Sequence, residues 1–237
     1  MFSKLKKLNP NARFVYRASD DLGILNAHPS LIKFEKNNLS KFNLVSVPSS
    51  YILNNLNRKS NEANIKLHFH GINKDLYDSE YKNPYKQNTL NAVFIGVTGL
   101  DYMFLKYAAF NYPEITFHII GPLNKEVVAD NIKYYGEMMF NKTVPYVKYA
   151  DIGLHTILYS KGGESLTDSL KVHQYTYCGL PIISAHFLKS SRKNSFYYKD
   201  EKDIDKAIKE CLEYGKNFDL KANVSSWDEL CNKLIID

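Results

Sequence analysis

The stretch Ser165–Ile183, SLTDSLKVHQYTYCGLPII, contains the local pattern that decides the fold. Its larger part, Ser165–Cys178, places the apolar side chains of Val172, Tyr175 and Cys178 at helical spacing. This spacing predicts a helix that turns one face towards a sheet.

The end of the same stretch indicates how the helix passes into the next element. Gly179 is suited to close a helix, because glycine adopts a left-handed conformation at little cost. Pro181 then begins the β-branched run Pro181–Ala185, where a strand start tolerates the missing N–H. A helix followed at once by a buried strand indicates an α/β unit.

The rest of the chain alternates between the same two kinds of element. Strands are predicted at 13–17, 44–47, 65–69, 91–96, 115–121, 132–136, 151–157, 181–185 and 196–198. Helices are predicted at 29–41, 49–57, 98–111, 144–150, 165–178, 201–214 and 226–235. This alternation predicts an α/β fold made of two Rossmann-like, parallel-sheet domains.

A polar, tyrosine-rich segment that contains Pro84 interrupts the alternation, and we interpret it as a linker. The predicted division is an N-terminal acceptor-side domain at 1–75, the linker at 76–90, a C-terminal donor domain at 91–215 and a returning C-terminal helix at 216–237. The first domain has only the strands before residue 70, whereas a doubly wound domain has about five or six. It is therefore expected to be incomplete.

Composition narrows the class of protein. Of the 237 residues, 44% are hydrophobic, which is enough for a sizeable core. No apolar run reaches the roughly 18 residues that span a bilayer, and the N-terminus lacks the apolar segment of a signal peptide. Cys178, Cys211 and Cys231 have no metal-like spacing. These features favour a reduced, cytoplasmic protein.

The charge pattern bears on the choice of partner. The formal net charge is +6, with lysines dispersed along the chain rather than clustered. Dispersed lysines do not predict a nucleic-acid stripe, so no nucleic-acid partner is expected. A moderate positive excess fits an anionic small substrate or an anionic membrane surface.

The start of the predicted helix is a candidate anion site. A helix N-terminus presents free N–H groups and a partial positive charge. Ser169 offers a hydroxyl there, Lys171 can reach back towards a bound anion, and Gln174 lies on the same face as Lys171. The residues alone leave two interpretations open: a diphosphate site, or a packed α/β unit with a solvated lysine.

An ordered series of short motifs narrows this choice. Five short motifs follow one another along the chain: FIG at 94–96, HIIG at 118–121, YYGE at 134–137, ADIGL at 150–154 and SLKVHQYTYCGLPII at 169–183. In order and spacing they resemble the donor-binding domain of GT-B glycosyltransferases, most nearly the family of the xanthan-pathway glucuronosyltransferase. The resemblance extends over nearly the whole chain from Arg13, and it implies sugar transfer with inversion from a nucleotide donor to a lipid-linked oligosaccharide.

The resemblance also implies roles for single residues. Lys171 would contact the donor diphosphate, Gln174 would lie beside the nucleotide, and Glu137 would lie near the base. Related retaining enzymes carry Glu where Gln174 stands, so this departure favours the inverting branch. Gly96 ends a strand where a small residue allows a diphosphate or sugar to approach the backbone. Ser169 completes the expected donor-binding set.

Two adjacent carboxylates, Asp20 and Asp21 in YRASDDLG, are the candidates for catalysis. Inverting transfer needs a general base that takes the proton of the attacking acceptor hydroxyl. The resemblance places the catalytic aspartate in this stretch, and the approximate spacing to Lys171 favours Asp21. The residues alone favour a pair that simply caps a loop.

No metal or cofactor is predicted. His68 and His70 alternate on a predicted strand, but a third ligand at a telling spacing is missing. Neither a P-loop nor a G-x-G-x-x-G fingerprint is found. The expected donor is a UDP-sugar, with UDP-glucuronate as one candidate, used without a metal.

The predicted function is therefore inverting transfer of a sugar to a lipid-linked saccharide or polysaccharide, in the cytoplasm or peripherally at the inner membrane face. One alternative is a truncated, non-catalytic remnant that binds nucleotide. Another is an interaction module that binds no nucleotide.

Overall fold

The computed structural model describes residues 2–97 and 99–237, and the chain forms two separate parallel sheets. The first sheet has the order β1-β2-β3, with β1 at Val15–Arg17, β2 at Leu44–Val47 and β3 at Ile65–Leu67. Helix α1, Phe2–Leu8, precedes it. Parallel neighbours require crossover connections, and these contain α2, Pro29–Asn38, and α3, Ser50–Lys59.

The central strand of the first sheet organises its core. All four residues of β2 are buried, because helices and neighbouring strands enclose it. Val45 and Val47 pack with Ile52 and Leu56 of α3 and with Leu39 after α2. This small core fixes the carboxyl ends of the three strands, from which the loops with Asp20 and His70 leave.

The second sheet has six parallel strands in the order β6-β5-β4-β7-β8-β9. Its strands are β4 Leu90–Ile95, β5 Ile115–Ile120, β6 Ile132–Gly136, β7 Ile152–His155, β8 Ile182–Ala185 and β9 Ser195–Tyr198. Its helices are α5 Tyr102–Asn111, α6 Phe140–Tyr149, α7 Leu170–Tyr177 and α8 Glu201–Tyr214. The prediction of an α/β fold with two parallel sheets is confirmed.

Helices cover both faces of the second sheet. One core joins Phe104 of α5 and Ile208 of α8 to Phe94 of the sheet. The other joins Val147 of α6 and Val172 of α7 to the opposite face. A sheet covered on both faces shows near-continuous apolar strands, which explains sequences such as NAVFI and ITFHII.

The chain passes between the sheets through α4, Lys74–Asp78, and returns at the end through α9, Trp227–Ile236. The returning segment crosses beside Ile72, whose N–H donates to the carbonyl of Ser225 over 3.0 Å. A Cβ on Gly71 would lie 2.6 Å from the Ser226 carbonyl oxygen, so only glycine fits at this crossing. Oδ2 of Asp237 then lies 2.8 Å from Nε2 of His68 beside the first sheet.

The structure corrects the predicted single helix at 165–178. The chain forms a 3₁₀ helix at Gly163–Asp168, breaks at the extended residue Ser169, and begins α7 at Leu170. The 3₁₀ helix ends at Asp168, whose carboxylate forms an ion pair with Arg192. Lys171 is therefore the second residue of α7, not one and a half turns inside it.

Smaller differences follow from capping. The helix predicted at 98–111 begins at Tyr102, because the Asp101 carboxylate accepts the N–H groups of Met103 and Phe104, each over 3.0 Å. Thr98 itself lies outside the described residues. Helix α4 was not predicted; it begins at Lys74 and is capped by Asn73, whose side chain accepts the N–H of Leu76. Helix α1 was not predicted either.

Candidate functional site

An opening lies between β4 and β7, where the strand order of the second sheet reverses. Strand β4 pairs with β5 over six residues but with β7 only at Ala92 and Val93. The two strands therefore separate towards their carboxyl ends. In open parallel sheets, ligands bind in the crevice that such a reversal creates.

The Tyr175 side chain of α7 fills the lower part of this opening. Its hydroxyl accepts the N–H of Ile95 and donates to the carbonyl of Val93, each over 3.2 Å. A Cβ on Gly153 would lie 2.6 Å from the Tyr175 ring, so glycine is needed there. Tyr175 thus satisfies backbone groups that the diverging strands leave without a ladder partner.

The end of β4 lies against the end of β5 through two glycines. A Cβ on Gly121, which has φ of 143°, would lie 1.8 Å from the carbonyl oxygen of Gly96. A Cβ on Gly96 would lie 2.9 Å from the Phe94 ring and 3.1 Å from Nζ of Lys171. The absence of a side chain at Gly96 therefore leaves the Lys171 ammonium group close to exposed backbone.

Lys171 is the cation of this site. Its Nζ lies 4.2 Å from the centroid of the Phe94 ring, a cation–π contact. Burial lowers the pKa of Lys171 to about 8, because the charged form loses hydration. Within residues 2–97 and 99–237, no carboxylate pairs with this ammonium group. A partly buried cation without a counter-charge, at the start of a helix, suits an anionic ligand.

A hydroxyl–imidazole chain lies beneath Lys171. Ser169 Oγ is 3.3 Å from Nε2 of His155, and Ser184 Oγ is 3.2 Å from Nδ1 of the same ring. Burial, and then the charges of Lys171 and Arg192, hold the pKa of His155 well below its usual range. The imidazole is therefore neutral, and it orients the Ser169 side chain at the start of α7.

Gln174 and Glu137 lie on different parts of the same sheet edge. Gln174 is 4% exposed and lies one turn after Lys171, and its amide has no hydrogen-bond partner in the described part of the chain. Glu137 is exposed directly after β6, where Gly136 has a positive φ of 70°. The structure thus brings Gly96, Ser169, Lys171 and Gln174 around the opening and places Glu137 two strands away.

The two aspartates have different surroundings. Asp21 is 8% exposed, and its carboxylate accepts the N–H of Gly23 over 2.7 Å and the amide of Asn55 over 3.0 Å. Asp20 is exposed and accepts no hydrogen bond within the described ranges. Its charge acts on His70, whose pKa burial lowers, with a smaller lowering by Arg17 and an opposing rise from Asp20.

Contacts of His70 link the aspartate loop to α7. The His70 ring centroid lies 6.3 Å from that of His173 on α7 and 6.4 Å from that of Trp227. A second link is Gly162, where an added Cβ would lie 2.5 Å from Ile24. The loop that contains Asp20 therefore faces the segment that leads into α7.

The histidines show no metal site. The strand predicted at 65–69 ends at Leu67, so His68 and His70 do not share a strand face. His68 is buried between Ser46 and Asp237, whereas His70 faces His173. Among the residues that the structure describes, no group of three His, Cys, Asp or Glu side chains is placed to hold a metal ion.

Sequence reasoning missed the groups that support this site. The helical spacing predicts only that Tyr175 faces the sheet, and no local pattern singles out His155. The ion pair of Asp168 with Arg192 joins residues far apart in the sequence, so no local pattern indicates it. One sequence signal could have indicated the role of Tyr175: a large aromatic residue on the sheet-facing side of a helix, together with a glycine, Gly153, in a buried strand.

The reversed strand order, the helices on both faces and the crossing C-terminal helix define the class: the chain has the fold of GT-B glycosyltransferases. Solved structures of that fold agree along almost the full chain. HepE of Anabaena, in complex with UDP and glucose, has a TM-score of 0.70 at 12% identity, covering 98% of this chain and 73% of that one. Sucrose-phosphate synthase from Thermosynechococcus elongatus has a TM-score of 0.68 at 14% identity, covering 98% and 68%.

Sequence comparison gives a more specific likeness. The family model described as the N-terminal domain of glucuronosyltransferase GumK matches residues 1–48. The UDP-glucuronate:glycolipid 2-beta-glucuronosyltransferase of Xanthomonas campestris pv. campestris is 29% identical over 197 residues, which is 81% of this chain and 48% of that protein. The chain thus spans about half the length of this curated relative. The resemblance to the xanthan-pathway glucuronosyltransferase is confirmed.

Proposed function

We propose that this chain carries out inverting transfer of a sugar from a nucleotide diphosphate donor, and that the donor is a UDP-sugar. The observation that carries the proposal is the Lys171 ammonium group at the opening between β4 and β7, for which the described residues supply no carboxylate partner. The relative named for UDP-glucuronate and the HepE structure with UDP and glucose support a uridine nucleotide.

In this proposal the diphosphate lies across Gly96 and the first N–H groups of α7. Lys171 then neutralises the negative charge that develops on the departing UDP, an effect that is strong in a site shielded from water. Because the lysine supplies this positive charge, we propose transfer without a metal ion. The Gln174 amide, which has no hydrogen-bond partner among the described residues, would donate a hydrogen bond to the nucleotide in this proposal. Glu137 would contact the base side.

Asp20 is the proposed general base. The acceptor hydroxyl gives its proton to a carboxylate while its oxygen bonds to the anomeric carbon, and the bond from that carbon to the diphosphate breaks. The exposed Asp20 carboxylate accepts no hydrogen bond from the described residues, whereas the Asp21 carboxylate accepts one from Gly23 in its own loop and one from Asn55 on α3. The sequence spacing favours Asp21 as the general base, whereas the surroundings of the two carboxylates support Asp20.

The proposed acceptor is a lipid-linked saccharide at an anionic membrane surface. Helices α1 and α2 expose Leu8 at 82%, Leu31 at 54% and Phe34 at 46%, beside several lysines. Lys6 of α1 donates to the carbonyl of Lys41, which lies in the 3₁₀ turn that follows α2. Apolar side chains among lysines suit an anionic lipid surface. No described helix combines the length and the apolar character needed to cross a membrane.

Calorimetric titration with UDP tests the proposal. We expect UDP to bind the full chain, and Lys171→Ala to weaken binding by about 1–3 kcal/mol, the range for a hydrogen bond to a charged group. Lys209→Ala, which removes an exposed lysine of α8, is the matched control and is expected to leave affinity unchanged. Equal affinity in the Lys171 variant would reject the diphosphate role.

A second readout separates binding from catalysis. Incubation with radiolabelled UDP-glucose or UDP-glucuronate, followed by measurement of released UDP, reports turnover of the donor. Binding of UDP without turnover of any UDP-sugar, with a membrane extract as the acceptor source, would favour the nucleotide-binding remnant. Absence of UDP binding would favour the interaction module.

A further inference from the structure

A cavity of about 260 Å³ lies at the end of α7, away from the donor opening, and we call it the rear cavity. It is lined by Tyr77 of α4, by Cys178 directly after α7 and by Phe218 of the 3₁₀ helix Phe218–Asn223. Lys171, by contrast, is the second residue of α7. A crossover helix runs opposite to the strands that it joins, so the end of α7 lies at the amino edge of the sheet. The rear cavity is therefore separate from the opening at the carboxyl ends of β4 and β7.

Tyr77 brings an unsatisfied polar group to the rear cavity. The residue is 3% exposed, and its buried hydroxyl has no hydrogen-bond partner among the described residues. Burial raises the pKa of Tyr77 well above its ordinary value, so the hydroxyl keeps its proton and can donate it to a hydrogen bond. Native proteins seldom leave a buried hydroxyl unpaired, because its lost hydration is then uncompensated. An acceptor atom of a ligand in the cavity would supply the missing partner.

Positive charge predominates around the rear cavity. Lys148 and Lys221 line it, and the one carboxylate in the described lining belongs to Asp78. Lys221 pairs with this carboxylate, since its Nζ lies 2.6 Å from Oδ1 of Asp78. Lys148 donates to the carbonyl of Ser79 over 2.6 Å, and no carboxylate in the described part of the chain forms an ion pair with it. An ammonium group has three donors, so Lys148 retains donors for an anion.

The Cys178 thiol is subject to the same excess of cations. It is 5% exposed, and burial raises its pKa to about 12. The charges of Lys216, Lys148 and Lys221 oppose this rise, and the charge of Asp78 adds to it. The thiol stays protonated, so it forms a wall of the cavity rather than a nucleophile. Three cations against one anion favour a negatively charged ligand.

Aromatic side chains give the rear cavity an apolar part. The Tyr77 and Tyr177 rings meet edge to face, with centroids 6.0 Å apart. Phe218 completes the apolar lining and is 60% exposed. The volume of about 260 Å³ exceeds the roughly 150 Å³ of a cavity that holds benzene, so a ring and an anionic group fit together.

Hydrogen bonds hold the walls of the rear cavity together. The Tyr177 hydroxyl donates to Oδ2 of Asp78 over 2.9 Å, which joins α7 to α4. The N–H of Asn217, at the start of the 3₁₀ helix, donates to the carbonyl of Gly179 over 2.8 Å. Because these contacts already position the walls, binding a ligand there requires little ordering of the chain.

We propose that the rear cavity binds a small organic anion that carries a ring and one phosphate or carboxylate group. The anionic group pairs with Lys148, the ring packs on Phe218 and Tyr177, and an acceptor atom reaches the Tyr77 hydroxyl. Such a ligand contacts α4 and the 3₁₀ helix before α9, which belong to the two segments that pass between the sheets. The inference does not rest on the transferase function, since none of these residues lies at the donor opening.

Calorimetric titration of the full chain with phenyl phosphate, benzoate, inorganic phosphate and phenol tests this inference. The last two probes offer only the charge or only the ring. We expect the tighter of phenyl phosphate and benzoate to bind about tenfold more strongly than either of them, because ion pairing and ring packing then act together. The tighter probe identifies the anionic group. Excess UDP is expected to leave its binding unchanged, because UDP occupies the donor opening.

Three variants assign the binding to the rear cavity. Lys148→Ala is expected to weaken the tighter probe about tenfold, the effect of one lost charged partner. Lys209→Ala, at an exposed lysine of α8, is the matched control and should bind the probe unchanged. Tyr77→Phe should weaken the probe by about threefold to tenfold, since one hydrogen bond to the ligand is lost. Without the probe, thermal unfolding of Tyr77→Phe should occur no lower than that of the unaltered chain, because the hydroxyl has no partner to lose.

Several outcomes would overturn the rear cavity as a binding site. These are no detectable binding of phenyl phosphate or benzoate, unchanged probe affinity in Tyr77→Phe, and equal probe affinity in the Lys148 and Lys209 variants. Displacement of the probe by UDP, or its loss in Lys171→Ala, would assign the binding to the donor opening instead. Probe binding that persists in a chain without affinity for UDP would support the rear cavity and remove only the transferase proposal.

Discussion

The ammonium nitrogen of Lys171 lies 4.2 Å from the centre of the Phe94 ring, and no carboxylate in the described part of the chain neutralises it. The ring offers only partial compensation for the hydration that the cation loses. The lowered pKa of Lys171, about 8, reports this cost. The site therefore holds a charge that a bound anion would stabilise.

We expect Lys171→Met to stabilise the folded chain at pH 7 while weakening UDP binding as Lys171→Ala does. Below pH 8 the wild-type lysine is charged in both states, and its lowered folded pKa costs stability. A methionine avoids this cost, a gain of about 1–3 kcal/mol on the scale of 1.36 kcal/mol per pKa unit. Thermal unfolding of both proteins measures it.

The sign of this effect changes with pH in a defined way. Between pH 8 and pH 10.5 the folded lysine is neutral while the unfolded one still binds its proton, so wild-type stability rises. The advantage of the methionine variant should therefore shrink across this window. An advantage that stays constant up to pH 10.5 would contradict the low pKa of Lys171.

UDP affinity should fall as the pH rises through 8. The charged lysine is the binding form, so loss of its proton weakens the complex, by roughly tenfold between pH 7.5 and pH 9. Lys171→Arg is the control, because arginine keeps its charge throughout this range. Calorimetry at four pH values measures both proteins. A parallel decline in the arginine variant would assign the effect to another group.

Tyr175→Phe should weaken UDP binding by a factor of three to ten, with a loss of about 1–2 kcal/mol in folding stability. The ring remains beside Gly153, but the Ile95 N–H loses its acceptor, so this hydrogen bond no longer joins the end of β4 to α7. We expect the pH midpoint of UDP binding to move as well, because the substitution alters the surroundings of Lys171 and therefore its pKa.

Tyr177→Phe is the matched control for Tyr175→Phe. It removes a hydroxyl from the same helix, one that donates to Asp78 over 2.9 Å at the opposite side. Its stability loss should be comparable or smaller, with UDP affinity and pH midpoint unchanged. If both variants bind UDP alike, Tyr175 has no positioning role.

Asp20→Asn should abolish sugar transfer while leaving UDP affinity unchanged, because an amide cannot take the acceptor proton. Asp21→Asn should reduce transfer only in part and lower the folding stability, since it alters the hydrogen bonds to Gly23 and Asn55. The ratio of turnover rates at saturating UDP-sugar decides between them. Full activity of the Asp20 variant together with an inactive, folded Asp21 variant would restore the preference for Asp21.

Leu8→Ser combined with Phe34→Ser should lower binding to vesicles of phosphatidylglycerol several-fold. Leu8 at the end of α1 is 82% exposed and Phe34 on α2 is 46% exposed, so the change removes exposed apolar surface without disturbing the core. Co-sedimentation with phosphatidylglycerol and with phosphatidylcholine vesicles measures it. Val128→Ser, at a side chain that is 87% exposed in the second sheet unit, is the control. Equal binding of the unaltered chain to both kinds of vesicle would contradict the proposed contact with an anionic membrane surface.

Much of the fold followed from local sequence patterns. The apolar runs of β4 and β5 and the amphipathic α8 were predicted nearly at their observed bounds, because periodicity reports burial directly. The boundaries that failed were those set by side-chain capping or by distant partners. The predicted helix at 165–178 broke at Ser169, where Asp168 turns to Arg192.

The sequence by itself determined the parallel α/β class, the order of the motifs and the residue types around the anion site. Only the tertiary structure decided which of those residues lack partners, and this distinguishes the site. Lys171 lies beside the reversal of the strand order, where no described carboxylate reaches it. The Asp21 carboxylate accepts hydrogen bonds from Gly23 and from Asn55, which is distant in the sequence. Hydration, burial and pairing depend on residues far apart in the chain, so no local pattern contains them.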